Sequence, residues 1–404
     1  MTDKYLESKH TKRDPPMQRS KDRFLTTHTG SLPRHPSLRD LLKQKERDPL
    51  DISPELALET EGAVSNVIAQ QLKAGIDIGN NGEQPRVGFS TYVTGRIKGF
   101  GGESSRPIRL DNKDFPDFAA MGAERLRSAS RVMINPAAQE ELEYGNLQEC
   151  QEECEQFIRL TEASKQKFSD CFMTAASPGI VTTTMMNKYY DTHENYLAAV
   201  SREMQKEYET IHKHGLILQL DCPDLAMERS WFFQDLSLSQ FQDRIQQHIQ
   251  AINDAVVNIP REHIRLHVCW GNSNSPHVND VPLKDILPYL YEANVGALSV
   301  ELANPRHQHE HKVFKKHPLP DSMILIPGVI DSTVNYVEHP EVVADRICQI
   351  TDAVEDRNRI IASTDCGFGT FAGLGAVAPS VVWAKMRTLR EGAEIATSRL
   401  WGTT

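Results

Sequence analysis

A (β/α)8 barrel is the fold class predicted for this chain of 404 residues, and three observations predict it. Eight short apolar runs alternate with longer amphipathic stretches. Nearly every run is followed by helical sequence. The polar residues that interrupt the runs gather at their C-terminal ends, where barrel enzymes carry their chemistry. In chain order the runs are 24–31 (FLTTHTGS), 75–83 (GIDIGNNGE), 171–179 (CFMTAASPG), 216–223 (LILQLDCP), 264–271 (IRLHVCWG), 297–304 (ALSVELAN), 323–331 (MILIPGVID) and 359–367 (RIIASTDCG). Between them, a stretch such as 194–215 repeats Tyr196, Val200, Met204 and Tyr208 every four residues and closes on His214 and Gly215. That is the period of a helix with a sound stop signal.

One interval is too long for a single connection. Residues 84–170, between the second and third strands, hold a Gly-rich piece, VTGRIKGFGGESS, and an acidic helical stretch around 138–168. They are expected to form an enlarged excursion over the barrel mouth. The glycines have no helix-opening Lys-Ser/Thr after them, so a loop is expected and not a phosphate cradle. Residues 1–22 are polar and mixed in charge, with no apolar core for a secretory signal, and are expected to be a disordered tail; residues 23–404 are expected to be one barrel domain.

Composition narrows the function classes. Charged residues at 25% and hydrophobic residues at 39% suit a globular protein, and a net charge of −10 argues against nucleic acid and anionic membrane surfaces. No apolar run approaches the ~20 residues of a spanning helix. Seven cysteines without framework spacing point to a reducing compartment, hence a cytoplasmic protein. Cys150 and Cys154 share a helix face with no histidine nearby and are expected to be surface or half-buried thiols; Cys171 and Cys348 are expected in the core. Nothing in the sequence sets the oligomeric state, a homo-oligomer included.

The sharpest chemical signal is RLHVCWGN. His267 and Cys269 stand two apart in a strand, so both side chains project to one face. Glu301 and Cys366 follow at intervals that fit one and then two strand-plus-helix units of ~30 or more residues each. All four then sit at the ends of three parallel strands and make a zinc site of N, O and S₂ type. The histidines 307, 309, 311 and 317 could chelate a metal, but their strongly charged surroundings are expected to be a solvated loop. Glu83 and Asp221 each end a strand with a carboxylate. They either pair with Arg86 and Arg229 on the same loops, or point into the mouth and form an acidic recess suited to a substrate amine.

Taken together, THTGSLPR, NNGE, QLDCP, HVC, VEL, PGVID and TDCG resemble, in order, the cobalamin-independent methionine synthase family, over its zinc-bearing catalytic barrel in the short, single-barrel branch. The likeness runs from about Leu25 to Leu400. It implies zinc on His267, Cys269, Glu301 and Cys366, a thiol amino acid with its backbone against Thr29 to Ser31, and its amine against Glu83 and Asp221. Three departures stand out. Ser332 and Thr333 follow Asp331 where the family carries a catalytic His; the folate-stacking aromatic has no match unless Tyr189 or Tyr190 serves; and the family's Asp-Glu-Pro reads Asp221-Cys222-Pro223. Epoxyalkane:coenzyme M transferase, a relative of the same barrel type, implies the alternative of adding a thiol to an epoxide.

The expected reaction is S-methyl or S-alkyl transfer from a small-molecule alkyl donor to a thiol, with homocysteine first among the thiols. A free thiol with a pKa near ~8.5 is mostly protonated at neutral pH, and zinc binding deprotonates it. Exchange of Glu301 for the incoming thiolate leaves the charge of the centre unchanged. The leaving group needs a proton, for which Asp331, Thr333 or a water held by Asp365 are the candidates. The non-enzymatic alternative is a zinc-binding scaffold.

Overall fold

Each of the eight apolar runs contains a barrel strand in the computed structural model, which describes residues 15–47, 53–128 and 135–402. The strands are β1 (Leu25–Thr26), β2 (Ile78–Gly79), β3 (Asp170–Ala176), β4 (Ile217–Asp221), β5 (Ile264–Val268), β6 (Ala297–Val300), β7 (Ile324–Ile330) and β8 (Ile361–Thr364). They lie side by side in chain order, with β8 returning to β1, and every pair is parallel. Across the remaining seam the Asp77 amide donates to the Thr26 carbonyl at 3.1 Å. The Thr27 hydroxyl donates to the Ile78 carbonyl at 2.9 Å. The fold is a TIM-type (β/α)8 barrel.

The period-2 pattern of the strands decides which end carries chemistry. One set of alternate residues, including Leu218, Leu220, Leu266, Val268, Leu298 and Val300, packs with the surrounding helices in the main apolar core. The other set faces the barrel axis. Near the strand starts Leu25, Ile78, Phe172, Ile217, Ala297, Ile324 and Ile361 form a separate apolar plug. Farther along, the same face turns polar with Gln219, Arg265 and Ser299, and ends in Asp221, His267 and Glu301. An apolar floor therefore lies under a polar mouth.

The expected tail needs a correction at its boundary. Residues 1–14 lie outside the described residues, but 15–22 are placed against the barrel floor. Met17 is buried in the apolar plug, its amide donating to the Glu262 carbonyl at 3.1 Å. The Ser20 hydroxyl donates to the Ile360 carbonyl at 2.5 Å. A single apolar residue in a polar segment closes an end that the short β1 and β2 leave open.

Between β2 and β3 the chain forms strands Ile97–Gly101 and Ala137–Tyr144, which pair antiparallel, and helix Leu147–Ala163. A buried ion network fastens these elements. Glu153 takes Arg86 at 2.9 Å and Arg96 at 2.6 Å, and Arg96 reaches Glu207 at 3.2 Å. Cys150 and Cys154 are buried beneath this network, which corrects the expectation of surface or half-buried thiols. The apolar face of their helix, Phe157 included, packs into the main core. Cys171 and Cys348 are only half-buried, not the core residues expected. Helix His193–Lys213 buries Tyr196, Val200, Met204 and Tyr208, as its four-residue repeat predicts. Among the described residues no helix is long and apolar enough to cross a membrane.

Candidate metal and thiol site

Strand β5 delivers His267 and Cys269 to the mouth, and the turn after β8 delivers Cys366. Their ligand atoms lie within 4.8 Å of one another, all three residues are buried, and the Cys366 sulfur is 3.9 Å from His267 Nε2. Three features fit a thiophilic metal. His267 Nδ1 is buried with no hydrogen-bond partner. The Cys366 thiol donates to Cys269 and holds Cys269 toward its thiolate form; burial opposes this, and His267 reinforces it. The Gly271 backbone also favours the Cys269 thiolate, while Cys366, the donor of the pair, is pushed up by its bond to Cys269 and by burial. An imidazole and two thiols packed together are the donor set that selects zinc over hard cations.

Glu301 stands just past β6 and lies outside the tight cluster of three. Its Oε1 accepts from the Trp270 amide at 3.3 Å and its Oε2 from Asn304 Nδ2 at 2.9 Å. Burial first, then the charges of Cys269 and Asp365, push this carboxyl well up, which places it electrostatically beside the sulfurs. Asp365 is held differently from its expected water-binding role. Its Oδ1 accepts the Leu302 and Ala303 amides, and its Oδ2 accepts the Asn304 amide and Nδ2, all at 2.8 to 3.1 Å. With its oxygens so engaged, Asp365 positions the turn that follows Glu301. Asp331 Oδ1 likewise accepts both the amide and the hydroxyl of Thr333, at 2.8 and 2.7 Å. Asp331, Thr333 and Glu301 line one recess of about 300 Å³.

Glu83 and Asp221 take neither salt bridge open to them from the sequence. Arg86 goes to Glu153, and Arg229 goes to the carbonyls of Phe233 and Gln234. Both carboxylates are buried. Burial pushes Asp221 up to about 7, with Glu83 adding to the shift and His267 opposing it. Glu83 accepts from the Thr174 hydroxyl at 3.0 Å through Oε1, while Oε2 has no partner. Such an orphaned buried oxygen costs about 1–3 kcal/mol or more when charged, and so marks a place for a missing donor. The local backbone is shaped for this carboxylate. Glu83 itself sits at φ +53°, a conformation few non-glycine residues adopt. Gly30 faces it at φ +150°, where a Cβ would come within 2.7 Å of Oε1. Thr29 and Ser31 flank that glycine. The Thr29 hydroxyl is engaged with the Thr364 carbonyl at 2.9 Å, and Ser31 Oγ accepts the Gly369 amide at 3.2 Å, so both side chains fix the turn.

The two tyrosines weighed as a stacking platform differ in exposure. Tyr190 stacks on Tyr196 and takes the Leu142 amide on its hydroxyl, a structural placement, while Tyr189 is exposed.

A second polar cluster beside the sulfurs was not legible in the sequence. His307 is buried, not a solvated loop residue; His309 on the same segment is exposed. The His307 ring stacks on Trp270, centroids 4.1 Å apart, and it reaches Glu310 at 2.8 Å and Asp280 at 3.1 Å. Asp280 also takes His277 at 2.7 Å and Arg109 at 3.4 Å. Burial disfavours the charged His307 ring, but hydrogen bonds to Asp280 and Glu310 raise it to about 9. A histidine raised above its unfolded value of ~6.5 lends stability below that value and loses it as pH climbs through the folded one. Replacing His307 with Gln should therefore lower the urea midpoint most below pH ~6.5, with the gap to wild type closing through pH ~9. A gap that does not change with pH would show that the ring is held neutral.

The barrel and its mouth thus define a class: TIM-type folds carrying an imidazole and two thiols within reach of one metal ion, with two buried carboxylates, Glu83 and Asp221, at neighbouring strand ends. No protein-family model matches the chain. Individual relatives do. The chain is 25% identical to the 2-hydroxypropyl-CoM lyase of Xanthobacter autotrophicus over 248 residues, 54% of this chain and 60% of that protein. It is 25% identical to the methionine synthase of Pyrococcus furiosus over 303 residues, covering 75% of this chain and 74% of that one. Among solved structures, a B12-independent methionine synthase from Shewanella sp. W3-18-1 in complex with selenomethionine shares the fold, with a TM-score of 0.68 at 18% identity, over 94% of this chain and 100% of that one. The motif resemblance to cobalamin-independent methionine synthases is thereby shown by these relatives, and those named methionine synthase support a transferase as the class of enzyme.

Proposed function

We propose that this protein is a zinc-dependent S-alkyltransferase that methylates or alkylates homocysteine or a closely related amino thiol. One observation carries the proposal: a compact His267, Cys269 and Cys366 donor set shares the barrel mouth with two buried carboxylates, one of which has an unpartnered oxygen. His267, Cys269 and Cys366 would hold the metal, with Glu301 as the exchangeable fourth ligand. Zinc, when bound, supplies a Lewis acid that keeps a substrate thiol ionised near neutral pH. Glu83 and Asp221 receive the amine of the thiol substrate. The rigid Thr29–Ser31 turn lies against its backbone. The recess lined by Glu301, Asp331 and Thr333 admits the alkyl donor.

The second reading is addition of a thiol to an epoxide, and the similarity to 2-hydroxypropyl-CoM lyase favours it. Both readings require the same metal-dependent thiolate and differ in thiol and donor. The test of their common core is alkylation of homocysteine by iodomethane, followed by product analysis. The zinc-loaded protein should accelerate it, and dialysis against a chelator should abolish the acceleration. An equal rate in the metal-free protein would refute the proposal and leave a metal-binding scaffold.

A further inference from the structure

The alkyl donor's leaving atom needs a proton, and the residues after Asp331 supply none freely, because the Thr333 hydroxyl is already directed at Asp331. Across the same 300 Å³ recess stands one imidazole, that of His277. Its ring is held at both ends by acceptors: Nδ1 lies 2.7 Å from Asp280 Oδ2 and Nε2 lies 2.9 Å from the Ser273 carbonyl. Only a doubly protonated ring satisfies both bonds. Its backbone sits at φ +54°, a left-handed conformation that persists only where surrounding contacts enforce it. Those contacts are visible. The His277 amide donates to Asp111 Oδ2 at 2.8 Å, and Arg109, 3.5 Å from Nδ1, shares Asp280. The excursion between β2 and β3 thus reaches across the mouth to fix this one ring.

We propose that His277 is the general acid of the alkyl transfer, donating its Nε2 proton to the departing atom of the donor held in the recess. The inference rests on the alkyl-transfer reading given above. As the substrate sulfur forms its bond to carbon, the bond from that carbon to oxygen or nitrogen breaks. The Nε2 proton leaves the Ser273 carbonyl for that oxygen or nitrogen. The ring is left neutral with its Nδ1–H on Asp280 and regains a proton from water. The charged and titratable groups around the ring are Asp280, Asp111, Arg109 and His307 on its own side, and Glu301, Asp331, Asp365, Arg306 and Tyr336 across the recess. Asp280 holds the ring at Nδ1 and is itself held by Arg109 and His307.

The test is His277→Asn, since Asn tolerates the left-handed backbone. Zinc content and homocysteine binding should match wild type. Alkylation of homocysteine by epoxypropane or 5-methyltetrahydrofolate, whichever wild type turns over, should fall ~10²–10⁴-fold. Alkylation by iodomethane, whose leaving iodide needs no proton, should stay within about two-fold, because the loss of a general acid touches only proton-requiring leaving groups. In Asp280→Asn the ring remains but loses the carboxylate that orients its Nδ1, so turnover of the proton-requiring donor should fall while alkylation by iodomethane is spared. Equal losses with both kinds of donor, or none with either, would overturn the assignment. So would a wild type that uses iodomethane but neither proton-requiring donor, an outcome that leaves the alkyl-transfer proposal standing. Absence of metal-dependent alkylation with every donor would instead remove the proposal on which the assignment rests.

Discussion

Cys269→Ala and Cys366→Ser should each strip the protein of bound zinc. The three donor atoms at the mouth lie within 4.8 Å of one another, so no single ligand has a substitute nearby in that set. Loss of a mere outer partner of a zinc ligand weakens binding by about 10–100-fold. Loss of a thiolate ligand should exceed that, and purified variants should hold well under one equivalent by elemental analysis. Folding is a weaker concern here than in a small zinc module, because the barrel has a large apolar core of its own. Cys150→Ala is the matched control. It removes an equally buried thiol, but one on helix Leu147–Ala163, away from the strand ends, and zinc should be retained. Full zinc content in both Cys269→Ala and Cys366→Ser would place the metal elsewhere or nowhere.

The barrel strands were legible because strand and helix periods differ, and because a barrel forces chemistry to one end of every strand. His267 and Cys269 could be paired from sequence alone, since two positions along a strand always share a face. Cys366 follows from the spacing of units, whereas Glu301, reached by the same spacing, lies outside the tight cluster of three. Contacts made by irregular chain could not be read this way. His277 and His307 look alike in sequence to the exposed His309. What separates them is Asp280, three residues after His277 but 27 before His307, and Arg109, brought in from the excursion. The Glu-Asp-Arg alternatives at Glu83 and Asp221 were open for the same reason. Arg86 had a stronger partner in Glu153, on a helix whose placement no local pattern gives. A signal was nonetheless present: PHVND, a histidine and an aspartate just after the strand that carries His267, with no helical or strand period to explain them.

In Glu83→Gln the protein should lose most of its preference for homocysteine over coenzyme M. Glutamine keeps the shape of the side chain and can still face the Thr174 hydroxyl, so the turn at φ +53° and the close approach of Gly30 are preserved. What disappears is the carboxyl that an incoming ammonium would ionise and meet at the orphaned Oε2, a group that burial otherwise pushes up. A hydrogen bond to a charged group contributes about 1.5–3 kcal/mol, which corresponds to a ~10–100-fold loss in kcat/KM for a thiol that carries an ammonium group. Coenzyme M carries a sulfonate and no amine. Buried carboxyl groups that an ammonium would ionise offer a sulfonate nothing, so replacing one should leave its turnover unchanged or raise it. The comparison is internal to each protein, which cancels any shared change in metal content or folding. Wild type should favour homocysteine, and Glu83→Gln should narrow the ratio by at least ~10-fold. A wild type that prefers coenzyme M, or a ratio untouched by the substitution, would mean that Glu83 and Asp221 do not receive the thiol's amine, and would favour epoxide opening as the reaction of this barrel.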